Sequence, residues 1–147
     1  MLSHYVFWNA SPALTDWLGL AKGKDSKYKH EVITLKLPEP RHLIMHGLPD
    51  TFTIADECFW NLQGDRSKVT ALATSDEILG EWVSAEPVIW AYERGKGRVV
   101  AFTLSHFDWA FNAPLIRTIL LRGIVRDAGE SAHRFDSLIL RGIPLKD

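Results

Sequence analysis

Residues 87–106, PVIWAYERGKGRVVAFTLSH, decide the reading of this chain. Residues 87–92 are apolar and aromatic, as a packed strand requires. Residues 94–97, RGKG, break the run with two glycines that accept positive φ without steric cost. Residues 98–104 are again apolar and β-branched, so the spacing predicts two strands joined by a tight loop. His106 falls where the second strand runs out. In open α/β sheets ligands bind beyond the carboxyl ends of strands, which makes this imidazole a candidate on position alone. A phosphate cradle is a weaker reading of Gly95-Lys96-Gly97-Arg98, because the spacing is not GxxxxGK[ST] and strands flank it on both sides.

A helix follows. Asn112 can cap it, Pro114 fits its first turn, and Leu115, Ile116, Ile119, Leu120 and Ile124 recur at helical spacing before Gly129 offers a stop. Upstream, residues 5–8 (YVFW) read as a strand. Ser11-Pro12 opens a short helix with Leu14, Trp17 and Leu18 on one face and Gly19 at its end. Residues 21–30 carry Lys22, Lys24, Lys27, Lys29 and His30 and read as an exposed loop. Residues 31–37 read as a strand ended by Pro38 and Pro40, neither of which can donate a ladder hydrogen bond. A turn over residues 41–50 leads to a short strand at 51–54 and then to Asp56-Glu57. Residues 69–74, VTALAT, read as a buried strand, residues 75–86 as a polar loop carrying Trp82, and residues 131–147 as a weakly ordered tail in which residues 138–140 dock on the body.

The 147 residues fit one domain, and a chain of this length buries roughly 70% of its unfolded surface. Seventeen basic residues against 18 acidic ones give no electrostatic case for nucleic acid or an anionic membrane as partner. Cys58 is alone, so no internal disulfide can form. No apolar run approaches the ~20 residues of a membrane span, and the N-terminus lacks the basic n-region of a secretory signal. A cytoplasmic setting is expected. Six tryptophans are many for this size. Trp8, Trp60, Trp82, Trp90 and Trp109 could line a carbohydrate platform, with core packing expected for at least half of them.

Four ionisable side chains fall at predicted strand ends or in short turns: His42, Asp56, Glu57 and His106. Groups of this kind, converging from separate segments, are what acid/base or metal chemistry requires. Two imidazoles and a carboxylate are also the usual ligand set of a catalytic zinc or similar divalent metal, with one position left open. The competing reading is structural, since a histidine or an Asp-Glu pair beside a turn can simply cap a helix or pair with lysines. His42 and His46 are four apart, but the prolines and Gly47 around them argue against a helix presenting both. Cys58 lacks the strand-to-helix elbow of a nucleophile and is expected to be a packed thiol.

These segments together resemble the ThuA family of trehalose-utilisation-type proteins, which share the fold of class I glutamine amidotransferases. Residues 42–49, HLIMHGLP, resemble its H-P-I-x-x-G-L-P, and residues 52–59, FTIADECF, its f-x-i-x-D-E-x-Y. Residues 69–74 resemble v-x-V-L-A-T. Residues 87–106 resemble P-V-x-W-x-x-x-x-G-K-G-R-V-x-x-x-x-L-G-H, and residues 122–129, RGIVRDAG, the closing R-G-I-x-W-A-A-G. The likeness covers residues 17–130. The chain departs from it at Leu43 (Pro in the family), Phe59 (Tyr), Ser105 (Gly) and Arg126 (Trp). The first parallel strands of the family domain, with their helices, have no counterpart. If residues 5–11 correspond to the end of its glycine-rich strand, Trp8 stands where the family has a histidine.

The resemblance implies an α/β fold: a partial flavodoxin-like, class I glutamine amidotransferase-like three-layer sheet with helices, lacking the first strands. It implies a single domain over residues 1–147 whose site lies at the rim of a parallel-stranded layer, with a free sheet edge that a second copy could cover. The implied partner is a small carbohydrate, trehalose or a related or oxidised disaccharide. Among the residues matching family motifs, His106 and Glu57 are expected as ligand or acid/base groups, with His42 and Asp56 in support. An enzyme acting on a sugar, a non-catalytic sugar- or partner-binding scaffold, and an inactive truncated copy all remain compatible with these residues.

Overall fold

The computed structural model describes residues 12–78 and 81–139, with backbone only for residues 77, 78, 81–84 and 139. The expected strand at residues 5–8, and Trp8 with it, lies outside the described residues. The elements in order are α1 (Pro12–Leu18), β1 (Leu20–Ala21), β2 (Lys27–Lys36), β3 (Thr51–Trp60), β4 (Gln63–Gly64), β5 (Val69–Ile78), β6 (Glu81–Arg94), β7 (Gly97–Phe102), α2 (Asp108–Asn112), α3 (Pro114–Asp127) and α4 (Asp136–Ile139). Short 3-10 turns stand at Leu43–Met45 and Arg66–Lys68.

The larger sheet has the order β3-β2-β5-β6-β7, and β1 and β4 form a small two-stranded ribbon. All strand pairings among the described residues are antiparallel. The α/β class stands, but the layer beneath the candidate residues is not parallel-stranded. The β6–β7 connection shows why. Arg94 pairs with Gly97, so only Gly95 and Lys96 form the loop, and Gly95 takes φ 59°. A two-residue turn returns the chain beside itself and can only give an antiparallel neighbour.

Several strands outrun their sequence signals. The expected polar loop at 75–86 is a continuation of β5 and β6, with the Trp82 backbone paired to Glu77. The lysine-rich stretch is only partly loop: Lys27 to His30 pair residue by residue with Trp60 to Glu57. Backbone pairing with β3 outweighs the polar composition, because lysines on a solvated face cost a strand little. α1 ends at Gly19 (φ 82°) as expected, although Trp17 faces solvent while Leu18 is buried. α3 begins with Pro114, but its N-cap is Ala113, because Asn112 closes α2 instead.

Ile33 and Leu35 from β2, Ile54 from β3, Leu72 from β5, Val88 and Ile89 from β6, and Val100 and Phe102 from β7 build the main core. Ile116 and Ile119 of α3 close over it, and Gly123 lets that helix approach Val100. Ile124, expected on the same face, is exposed. Arg122, 2% exposed, occupies the inner face and donates to the carbonyls of Ile44 and His46 (both 2.8 Å) and to the Asp136 carboxylate (2.9 and 2.8 Å). This guanidinium ties α3 to the 43–45 turn and to α4. Ala132 is buried, whereas Leu138, expected to dock, is exposed.

Candidate functional site

The hairpin of β2 and β3 presents two unlike faces, because successive side chains on a strand alternate. Ile33, Leu35, Ile54, Cys58 and Trp60 point into the core, and Asp56 shares their face. The opposite face carries Tyr28, His30 and Val32 from β2, all exposed, and Phe59, Glu57 and Ala55 from β3. His30 and Glu57 are register partners, so their side chains rise from the sheet as immediate cross-strand neighbours.

Asp56 brings the second imidazole-bearing segment to this face. Buried to 1% exposure, its carboxylate accepts the backbone N–H groups of Ser105, of His106 (3.2 Å) and of Phe107 (3.4 Å), as well as that of Glu57 (2.8 Å). Successive N–H groups converging on one anion form an anion-binding nest. To turn all three inward the chain places Ser105 at φ 75°, the left-handed region that favours glycine. The Trp109 indole N–H then donates to the Ala55 carbonyl at 3.0 Å, fixing the start of α2 beside β3.

On the outer face His106 Nδ1 stands 3.1 Å from Glu57 Oε2, and His30 Nε2 stands 3.3 Å from Glu57 Oε1. The Glu57 side chain is 11% exposed, against 49% for His106 and 52% for His30. A sheltered carboxylate is thus bracketed by two imidazoles that open to solvent. The Phe107 ring meets both edge-on, at 4.9 Å from His30 and 4.7 Å from His106, and stacks on Trp109 at 4.1 Å. At the other end Tyr28 stacks on Phe59, and the Lys22 ammonium lies over both rings at 4.5 and 4.8 Å. Burial pulls the Lys22 pKa below its ordinary value, and Glu57 opposes that shift.

The structure therefore brings Glu57 and His106 together and sets Asp56 behind them as the group that positions His106. It does not bring His42 there. His42 Nδ1 accepts the Ile44 N–H at 3.2 Å and caps the 43–45 turn, and burial together with Arg126 and His46 lowers its pKa. A polar residue before a turn has the same sequence signature whether it caps or reacts. His30 takes the place expected for it. The only sequence signal for His30 was period-two alternation continuing backwards from residue 31, masked by the lysines around it. Lys22 and Phe107 gave none. Cys58 is a packed thiol as expected, fully buried, and burial pushes its pKa up to about 12 against a hydrogen bond with Thr103. Of the tryptophans with described side chains, Trp60 and Trp90 are core, and Trp17 and Trp109 are exposed.

Fold and site together define an α/β protein with a histidine–carboxylate cluster where β3 meets the segment after β7. Residues 4–125 match the family model ThuA, described as trehalose utilisation, and the chain belongs to that family. Among solved structures, a ThuA-like protein from Parabacteroides merdae superposes with a TM-score of 0.58 at 16% identity, over 74% of this chain and 43% of that one. A ThuA-like protein from Bacteroides uniformis gives 0.60 at 15% identity, over 83% of this chain and 55% of that one. The chain thus spans about half the length of these structures, which share its fold. No curated protein matches the sequence.

Proposed function

We propose that the outer face of β2 and β3, with the segment after β7, handles a carbohydrate, trehalose or a related or oxidised disaccharide, through Glu57 and His106 with His30 beside them. The single observation that supports this most is the Glu57 carboxylate held between two solvent-open imidazoles, at 3.1 and 3.3 Å. A carboxylate in that setting can take a proton from a sugar hydroxyl, and an adjacent imidazolium can return one to a neighbouring oxygen. The exposed indole of Trp109, 53% accessible, offers an apolar surface for a pyranose ring next to these groups. Asp56 acts at one remove, by holding the backbone of His106.

The test is calorimetric titration of the protein with trehalose and with its 3-keto derivative, followed by product analysis. His106→Ala, Glu57→Gln and Trp109→Ala are each expected to weaken binding at least tenfold, and His42→Ala to leave it unchanged. Binding without turnover would identify the face as a sugar-binding module rather than an active site. Failure of both sugars to bind the unaltered protein, or equal binding by the three variants, would overturn the reading.

A further inference from the structure

We infer that His30, Glu57 and His106 form a binding site for a divalent cation of the zinc type. The candidate donor atoms, one from each residue, all lie within 4.8 Å of one another. Each imidazole meets its own Glu57 oxygen, His106 Nδ1 at 3.1 Å from Oε2 and His30 Nε2 at 3.3 Å from Oε1. Donors about 2.0–2.2 Å from a tetrahedral zinc are about 3.3–3.6 Å apart, so small rotations of the two exposed rings close the set around an ion. Two imidazoles and one carboxylate match the ligand preference of borderline cations and disfavour calcium or magnesium, which take oxygen donors.

Two further features fit a metal centre. The ligands are preorganised: His30 and Glu57 are fixed by their register on adjacent strands, and His106 by the three N–H bonds of its segment to Asp56. Groups that orient metal ligands from behind typically change affinity 10–100-fold when removed. The arrangement is also open. Three protein donors on one side leave the solvent side for a fourth ligand, the layout of catalytic rather than structural zinc sites. An ion there would polarise a sugar oxygen or a bound water next to Trp109. The proposal deepens the carbohydrate reading, and only the identity of the molecule at the open position rests on it.

The experiment titrates the chelator-treated protein with Zn²⁺ alone by calorimetry and with Co²⁺ alone by visible absorption. One ion per cluster is expected, with cobalt bands of four- or five-coordinate character. His30→Ala should weaken zinc binding at least tenfold, and the His30→Ala/His106→Ala double variant should lose the cobalt bands. His133→Ala, which removes one ring of the separate His46–His133 stack, should change neither. His30 is an exposed strand residue, so circular dichroism of His30→Ala is expected to match the parent and to certify that a loss is local. No zinc uptake by the parent at 100 µM (about −5.5 kcal/mol if that were the Kd) would overturn the inference, as would undiminished uptake by a folded double variant. Sugar titration of both the chelated and the zinc-loaded protein separates the two readings. Sugar binding with no zinc uptake overturns the metal site alone, and zinc uptake with no sugar binding in either form overturns the carbohydrate reading alone.

Discussion

His106 Nδ1 lies 3.1 Å from Glu57 Oε2, and the contact is made from behind, by the residue next to Glu57 on the strand. Asp56 and Glu57 point to opposite faces of β3. The chain after β7 passes from the core side, where Asp56 holds its backbone, to the open side, where His106 meets Glu57. Asp56 and Ser105 are 49 positions apart, so this one carboxylate converts two unrelated segments into a single rim.

Replacing that clamp is therefore expected to cost both stability and site order. Asp56→Asn puts an amide where an anion accepts backbone N–H groups, and the loss should be about 2–3 kcal/mol. Urea unfolding reads the stability. The His106 imidazole resonances, broadened or shifted, read the site. A variant with unchanged midpoint and unchanged resonances would mean that the segment is held by other contacts.

Ser105 is the opposite case, a residue that its position does not favour. It sits at φ 75°, and its buried hydroxyl has no hydrogen-bond partner among the described residues. Ser105→Gly removes both penalties at some entropic cost in the unfolded chain, for a net gain of about 1 kcal/mol. The family pattern has glycine at this position, in keeping with that backbone geometry. A lower unfolding midpoint in the glycine variant would contradict the account.

Arg122 and Asp136 tie α4 to the body. Burial alone would raise the Asp136 pKa, but hydrogen bonds from Arg122 and His133 hold it below the ordinary carboxylate value. A depressed folded-state pKa means stability that is present above about pH 4 and lost as pH falls through the folded value. Asp136→Ala should cost about 3 kcal/mol at neutral pH, because it leaves a buried guanidinium without its counter-charge. Its stability should also decline less steeply below pH 4 than that of the parent, as acid titrations of unfolding would show.

Cys58 should respond in the alkaline range. With its folded-state pKa near 12 against an ordinary 9.0, the folded protein keeps a proton that the unfolded chain releases. Its contribution is intact below pH 9 and falls as pH rises from there toward 12. Cys58→Ala should lack that slope, whatever its absolute stability. At pH 8 the thiol should react with an aromatic disulfide reagent only as fast as the protein opens, and prompt reaction in the native protein would refute the burial argument.

The legible parts of the chain are those whose cause is local. The β6–β7 hairpin could be read because its two-residue glycine turn and flanking apolar runs lie within one window. α3 could be read because Ile116 and Ile119 recur at helical spacing behind Pro114. The antiparallel course of the sheet was less accessible, because residues 75–86 look polar and conceal two strand ends. His30 was hidden for a related reason. Its importance comes from its register against Glu57, which the connection through residues 37–50 sets, and not from its lysine-rich neighbours. His42 looked equivalent to His106 because both follow or precede a turn, and only their partners differ.

Amino-acid order alone determined the hairpin of residues 87–102, the helix after Pro114, the packed thiol of Cys58 and the segments that place the chain in its family. Each depends on contacts within a few positions or on composition. Tertiary structure decided which polar groups share a face. Histidine and carboxylate side chains are individually ambiguous, and their meeting depends on strand register and on a buried anion gathering N–H groups from a distant segment. Those are long-range terms that no window of sequence contains.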